Sequence, residues 1–338
     1  MTYMSIGDLA ASLQMRMQNA SLQRQVQALA REMSTGQRSD LASAVGRDFS
    51  ALASIDRNLA ALGSFGTATA EAELFTGSLQ AALGQVSDVT DTLAPQLMSA
   101  SGASSDGEVT ALARNARSAL ASVVASLNVN VAGRYVMAGT ATDTRPVAGE
   151  GAILAALRAA TAGIPTASGV AQAVSDWFDG SPGGGGYLDL AYQGSATPPG
   201  PFAVGEGELV SVGVTAASPE IRNLLKGLAT AALVADGALS GDRPGRATLL
   251  RHAGTALASA GGGLVTLRAD LGNSEARIAA VAARNAAESS TLGIARSGIV
   301  AADPYETATR LQEVQTQLET LYTLTARMSR LSLAEVLR

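Results

Sequence analysis

Residues 303–328 read DPYETATRLQEVQTQLETLYTLTARM, and both the start and the partner of a long helix can be taken from them. Asp303 has a side chain able to accept from orphan amides. Pro304 stands where a missing N–H costs nothing, and Glu306 falls three residues after the cap. The spacing predicts a helix from residue 304. Within it Leu311, Val314, Leu318, Leu321, Thr325 and Met328 recur at alternating steps of three and four, a coiled-coil seam of about two and a half heptads. Only Thr325 is polar. Such a stripe is wide enough for one partner helix and too narrow for a globular core.

The partner is sought at the opposite end of the chain. Ile6, Leu9, Leu13 and Met17 form one helical stripe, and Leu22, Val26, Leu29 and Met33 a second, with a phase shift between them. Gly36 closes this helix, and Ser39-Asp40 forms a loop before the next helical stretch. Phe49, Leu52, Ile55, Leu59 and Leu62 continue an apolar face, followed by Leu74, Leu79, Leu83, Val86, Val89 and Leu93. Pro95 and residues 101–106 predict a break. A further helix is expected from about Glu108 to Val131, through Leu112, Leu120, Val123, Val124 and Leu127. On the return, Ile221, Leu224, Leu225, Leu228 and Leu233 predict one helix, and Leu249, Leu257, Leu264, Leu267, Leu271, Ile278 and Val281 a longer one.

Between these arms the composition changes. Seven of the ten prolines lie between Pro146 and Pro219, and sixteen of the 36 glycines between Gly133 and Gly213. Both residues oppose helix interiors, glycine by about 1 kcal/mol and proline by about 3 relative to alanine, so this middle is not long helix. Short helices are expected around Ile153 to Ala160 and Val170 to Phe178. Strand character is expected at Tyr187 to Tyr192, and a hairpin between Phe202 and Val214, where Leu209 breaks the alternation. The chain therefore divides into a terminal helix at 1–40, a helical half-rod at 41–132, an inserted module at 133–217, a second half-rod at 218–300 and a terminal helix at 301–338.

Composition narrows the function. Of 338 residues 47% are hydrophobic but only 4% aromatic, so the apolar content is mostly Ala, Leu and Val, suited to long helices with thin seams rather than to an aromatic-rich core. The net charge is -5, and Lys226 is the single lysine; without a basic face, nucleic-acid binding is not expected. The chain has no cysteine, hence no disulfide, thiolate metal site or thiol nucleophile. No apolar run reaches the roughly 18 residues of a membrane span. Residues 1–8 carry no early positive charge, so no cleavable signal peptide is expected.

Candidates for chemistry are few. His252 is the one histidine and lies on a helical surface, with neither a nucleophile nor further metal ligands beside it. The run Gly183 to Gly186 leads to Tyr187-Leu188 rather than to the Lys-Ser/Thr of a phosphate-binding loop, and reads as a flexible linker. The carboxylate pairs Asp88/Asp91 and Glu71/Glu73 belong to solvated helical faces. Asn19-Ala20-Ser21 matches a glycosylation acceptor but lies on a helical stripe. No enzyme and no cofactor are expected.

Four stretches carry a family resemblance. They are Leu29, Met33, Ser34, Thr35 and Gly36 with the following Phe49, Leu52, Ile55 and Leu59; Asn130, Gly133 to Thr140, Thr144 and Pro146; Tyr192-Gln193-Gly194 with the alternating segment and return helix after it; and Asp303-Pro304-Tyr305-Glu306 with the ending Leu331-Ser332-Leu333. Together they resemble the flagellin superfamily, and within it the hook-associated protein 3 type, which joins the flagellar hook to the filament. The resemblance implies a mainly α fold, an elongated antiparallel helical bundle or coiled coil of the two arms with a small inserted α+β or β-rich outer domain. It implies a structural subunit in a ring or tube of its own copies, contacting hook-associated protein 1 on one rim and flagellin on the other. It further implies export through the flagellar machinery, with or without a chaperone, to an extracellular site at the hook–filament junction. The assembly interface it implies comprises Ile6, Leu9, Leu13, Leu22, Val26, Leu29, Leu311, Val314, Leu318, Leu321, Met328, Leu331 and Leu333. A filament subunit, flagellin itself, is the alternative.

Overall fold

A computed structural model of the chain describes residues 6–46 and 48–336. In chain order its helices are α1 (Ile6–Thr35), α2 (Leu41–Ala44), α3 (Ser50–Met98), α4 (Asp106–Leu127), α5 (Glu150–Ala160), α6 (Ala167–Asp179), α7 (Tyr187–Leu190), α8 (Pro219–Ala235), α9 (Arg243–Val300) and α10 (Pro304–Val336). The strands are β1 (Asn130–Val131), β2 (Arg134–Tyr135), β3 (Phe202–Gly205) and β4 (Glu208–Val210), paired as two separate antiparallel hairpins. The fold is mainly α, as expected. It divides into two compact units: residues 1–62 with 287–338, and residues 63–286.

The larger unit holds the main core. Its buried residues run from Phe75 and Leu79 on α3, through Leu120, Val123 and Leu127 on α4, to Leu224, Leu228 and Leu233 on α8 and Leu249, Leu257 and Leu264 on α9. α4 packs along α8, and α5 and α6 also pack against α8. α4 begins two residues before the position read from the sequence. Ser105 and Glu108 form a reciprocal capping box there, which satisfies two orphan amides at once. It also ends earlier, at Leu127. Residues 130–135 turn instead into the β1–β2 hairpin, in which Ala132 and Gly133 take positive φ and Asn130 Oδ1 accepts from the Gly133 amide.

Much of residues 133–217 packs into the same core as the helices. Val136, Met137, Val147, Leu154 and Phe178 belong to the same buried cluster as α4 and α8. Backbone hydrogen bonds stitch the segment down: Ser195 N to Ala138 O, Thr140 N to Thr197 O, Gln193 N to Pro146 O and Ala216 N to Met137 O. Asn128 closes the entry to it, donating Nδ2 to Val147 O and accepting the Val147 amide at Oδ1, both at 2.9 Å. Aromatic residues are scarce in the chain but not dispersed. Trp177, Phe178, Tyr187 and Tyr192 form one cluster, with ring centroids of Trp177 and Phe178 at 4.9 Å and of Phe178 and Tyr187 at 5.3 Å.

Three expectations are corrected in this unit. The break expected from Pro95 and residues 101–106 lies between Met98 and Asp106, and Pro95 itself stays inside α3, losing only the bond that a residue-95 amide would have made. Residues 187–190 form a helical turn rather than a strand, because Tyr187 is wholly buried with its hydroxyl donating to Ala216 O at 2.9 Å. That burial pushes its phenol well above the usual value, with the neighbouring Tyr192 adding to the effect and Arg222 opposing it. The glycine run is an ordered turn rather than a slack linker. The amides of Gly183 and Gly185 donate to the two Asp189 carboxylate oxygens at 2.8 and 2.7 Å, and these bonds hold that carboxyl below its ordinary range.

The second hairpin is shorter than the alternation suggested. β3 and β4 turn at Gly207, whose φ is +68°. Val204 and Val210 face Ala72 of α3 and Ile278 and Val281 of α9 in a small separate core, with Phe202 against Phe75 at 5.6 Å. Leu209, which broke the alternation, points out and is exposed. Asn285 Nδ2 donates to Val204 O, and Arg284 pairs with Glu208.

Candidate assembly surface

The smaller unit contains α1, α2, the first residues of α3, the end of α9 and α10. α10 starts where the sequence placed it, with Asp303 Oδ1 accepting from the amides of Tyr305 at 2.8 Å and Glu306 at 3.2 Å. Glu306 does not close the box back onto Asp303. It pairs with Arg310 one turn on, at 2.7 Å. α1 ends at Thr35, and Gly36 follows with a φ of +68°, the left-handed geometry that lets a chain leave a helix.

α1 and α10 lie against each other in antiparallel sense. At one end of the pair Met15 meets Thr325, at 3.9 Å between Sδ and Oγ1, and further along Gln23 Nε2 donates to Tyr322 Oη at 3.2 Å. At the other end the connecting segments are joined through backbone. Gln37 bridges Ala301, Arg38 N donates to Val300 O at 2.9 Å, and Ala302 N donates to Gly36 O at 2.9 Å. The Arg38 guanidinium adds a bond to Ala301 O at 3.0 Å. Ser39 is anchored back on α1 through Glu32 and Ala28 O. Register between the terminal helices is thus set by both side chains and main chain.

Between the two helices runs a thin apolar seam. Leu22, Val314 and Leu321 are buried in it, and Met15, Val26, Leu29 and Leu318 pack against them. Six residues proposed for assembly, Leu22, Val26, Leu29, Val314, Leu318 and Leu321, are therefore brought together within one chain. Leu311 is half-buried. Leu13 is 57% exposed and Met328 47%, so these two do not belong to the covered part of the seam. The side chains of Ile6, Leu9, Leu331 and Leu333 lie outside the described residues.

The sequence reading missed Met15, which lies between the two α1 stripes and joins the seam with the second. It also missed the polar clasp of Gln23, Tyr322, Arg38 and Ser39, for which no apolar periodicity gives a signal. The phase shift did carry information. Leu13 is nine residues before Leu22, about two and a half turns, so Leu13 occupies the face of α1 turned away from α10. Met17 shares that face with Leu13 and is 59% exposed. On α10, Tyr322 and Leu324 flank the seam and are also exposed. The terminal pair thus has a covered apolar face inside and uncovered apolar positions outside.

The residues considered for chemistry fall elsewhere. His252 is exposed on α9 and lines a shallow groove with Ser168, Gln172, Ser175, Lys226 and Thr230. Lys226 Nζ is 2.5 Å from Asp179 Oδ2 and 3.2 Å from Ser175 Oγ. An ammonium held by a carboxylate has no lone pair to offer as a base. Asp88, Asp91, Glu71 and Glu73 are exposed, and Glu71 pairs with Arg134. No helix among the described residues is long and apolar enough to cross a membrane.

Comparison with known proteins bears on the same helices. Residues 255–337 match the family model of the bacterial flagellin C-terminal helical region, which covers most of α9 and all of α10. No curated protein sequence matches the chain. Among solved structures, a protein described as flagellar hook-associated from Vibrio parahaemolyticus is similar in fold. It has a TM-score of 0.51 and 12% identity, over 73% of this chain and 95% of that one.

Proposed function

We propose that the chain is a structural subunit of the flagellin superfamily, as the match of residues 255–337 to the flagellin C-terminal helical region supports, and that it is the adaptor that joins hook to filament. In this reading it forms a ring of its own copies between hook-associated protein 1 and flagellin. Its work is mechanical and non-catalytic. The observation that carries the reading is the antiparallel α1–α10 pair: its seam is closed within one chain, while Leu13, Met17, Leu324 and Met328 stay uncovered. A monomer gains nothing from apolar side chains on the outer face of a surface helix. A tube of subunits does, because each copy covers its neighbour's.

An adaptor must also offer unlike surfaces to unlike neighbours, so its axial contacts are heterologous rather than self-complementary. Export through the flagellar machinery, with or without a chaperone, fits the same chemistry. The terminal pair buries few large side chains, and the chain has no cysteine to cross-link, so it can be threaded unfolded at low cost. In this reading the subunit sits outside the cell, at the hook–filament junction.

The filament-subunit reading shares these physics, since the matched region is flagellin's own C-terminal helices. Immunogold labelling of intact flagella separates the two. Label confined to the hook end of the filament is the result expected of an adaptor, and label along the filament would replace that reading with the other. A Leu13→Asp variant tests the surface itself: it should remain monomeric and folded yet fail to join filament to hook. Normal filaments on that variant would remove the outer face of α1 from the interface.

A further inference from the structure

We propose that Gly261–Gly263 is a joint within α9, a turn at which this 58-residue helix flexes and opens more readily than in the turns around it. Glycine in a helix is ordinarily explained by close packing, and at Gly254 of α9 that explanation holds, whereas Gly272, Gly293 and Gly298 are open but stand singly in their turns. A Cβ on Gly254 would lie 2.8 Å from Met98 N and 2.9 Å from Ala94 O, so that position has no room for a side chain. The three consecutive glycines differ. A Cβ on Gly262 would meet nothing within 4 Å; on Gly261 it would make an ordinary 4.0 Å contact with Thr90; on Gly263 it would come 3.3 Å from Cγ of Glu220, part of a flexible side chain. None of the three takes a positive φ. Neither space nor backbone geometry therefore demands glycine, while each one weakens the helix by exposing backbone and enlarging the unfolded chain's freedom.

The packing around the run is soft in the same place. Thr255, Ser259 and Thr266 return their hydroxyls to the carbonyls four residues earlier, Arg251, Thr255 and Gly262, a pattern that loosens and bends helices. On α3, whose Thr90 faces Gly261 and whose Ala94 and Met98 face Gly254, Thr90 bonds back to Val86 O and Thr92 to Asp88 O. Pro95 cannot donate to the Asp91 carbonyl. Two neighbouring helices thus carry their weakest backbone at one level. The flanking positions Leu257, Leu264 and Leu271 are buried, so α9 is held above and below the run while the run itself is free to change its pitch. Nothing in this depends on the junction reading, because all of these residues lie within residues 63–286.

Native-state hydrogen exchange on the soluble full-length chain tests it. Protection factors of the amides at 262–267, whose helical partners lie in or just before the run, should fall at least tenfold below those at 250–257 and 272–281. Gly262→Ala, which meets no neighbour, should slow exchange in that turn about fivefold and leave distant turns unchanged, and replacing all three glycines by alanine should slow it on the order of a hundredfold. Uniform protection along α9 in the wild type would overturn the joint. So would a Gly262→Ala variant whose local exchange stayed the same or rose.

Discussion

Leu22 and Leu13 make a matched pair for testing the terminal helices, because the same residue occurs twice on α1 with opposite surroundings. Leu22 is 7% exposed and packs in the seam with Val314 and Leu321. Leu22→Ala removes the outer three carbons of that side chain and leaves a gap between two helices. Buried Leu→Ala changes cost about 2–5 kcal/mol, least where the surroundings can close in. A two-helix seam can close, so about 2–3 kcal/mol is expected. In a domain of roughly 100 residues, 1 kcal/mol moves the midpoint by about 4–8 °C, which places the loss for the smaller unit near 8–24 °C. Leu13→Ala, at a position that touches no seam, should change stability by no more than about 0.5 kcal/mol. Differential scanning calorimetry of dilute monomer should show the lower transition shifted by Leu22→Ala alone, with the transition of residues 63–286 unmoved. On assembly the order reverses: the Leu13 variant should lose polymerisation while retaining its melting profile. Equal melting shifts for the two variants would refute the assignment of an inner and an outer face.

Other predictions concern the larger unit. Burial raises the Asp179 carboxyl, but the bond from Lys226, the Ser175 hydroxyl and the charges of Lys226 and Arg222 outweigh it, and the net shift is downward from 3.8. A group depressed on folding stabilises above its unfolded value and loses that contribution as pH falls through its folded one. Asp179→Asn should therefore melt lower than wild type near pH 6, and the difference should vanish as pH is taken well below 3.8, as read by circular dichroism melts. Gly139→Ala places a Cβ 2.3 Å from Ser195 O at a φ of +63°; backbone strain and overpacking together should cost about 2–5 kcal/mol, visible as a lowered urea midpoint. Asn128→Leu leaves the buried Val147 N–H and C=O without their partners, and a loss of about 2–4 kcal/mol is expected from the same denaturation assay.

What could be read from the sequence follows the physics of each element. Long helices with capping residues were fixed locally: Asp303-Pro304 placed the start of α10 to the residue, and Gly36 placed the end of α1. The seam was legible because apolar spacing encodes a helix face. Its partner was not, since a stripe specifies that something covers it and leaves open whether that is the same chain or another copy. The middle segment was read least well because its structure rests on long-range bonds. Tyr187 has strand-like neighbours, yet it turns helical to bury a ring whose hydroxyl finds Ala216. The glycine run looked slack until Asp189 was seen filling it. Asn128 gave no signal at all, because an asparagine that satisfies both groups of a distant peptide looks in sequence like any helix-ending asparagine.

The two faces of α1 connect the stability of the monomer to its assembly. If one stripe had served both purposes, covering it within the chain would have removed the surface for a neighbour, and the subunit would have had to open before joining a tube. The phase shift between Met17 and Leu22 avoids that conflict by rotating the second stripe away from the first. Leu22, Val26 and Leu29 pair with Val314, Leu318 and Leu321 within the chain, and Leu13 and Met17 are left outward. Shifting Leu13 and Met17 into phase with the second stripe, by deleting one or two residues from segment 18–20, should therefore bring them into the intrachain seam and raise the melting point of the smaller unit. The same change should abolish polymerisation, scored by sedimentation and electron microscopy. A variant that both melted higher and still assembled would show that the outward stripe has no part in the contact.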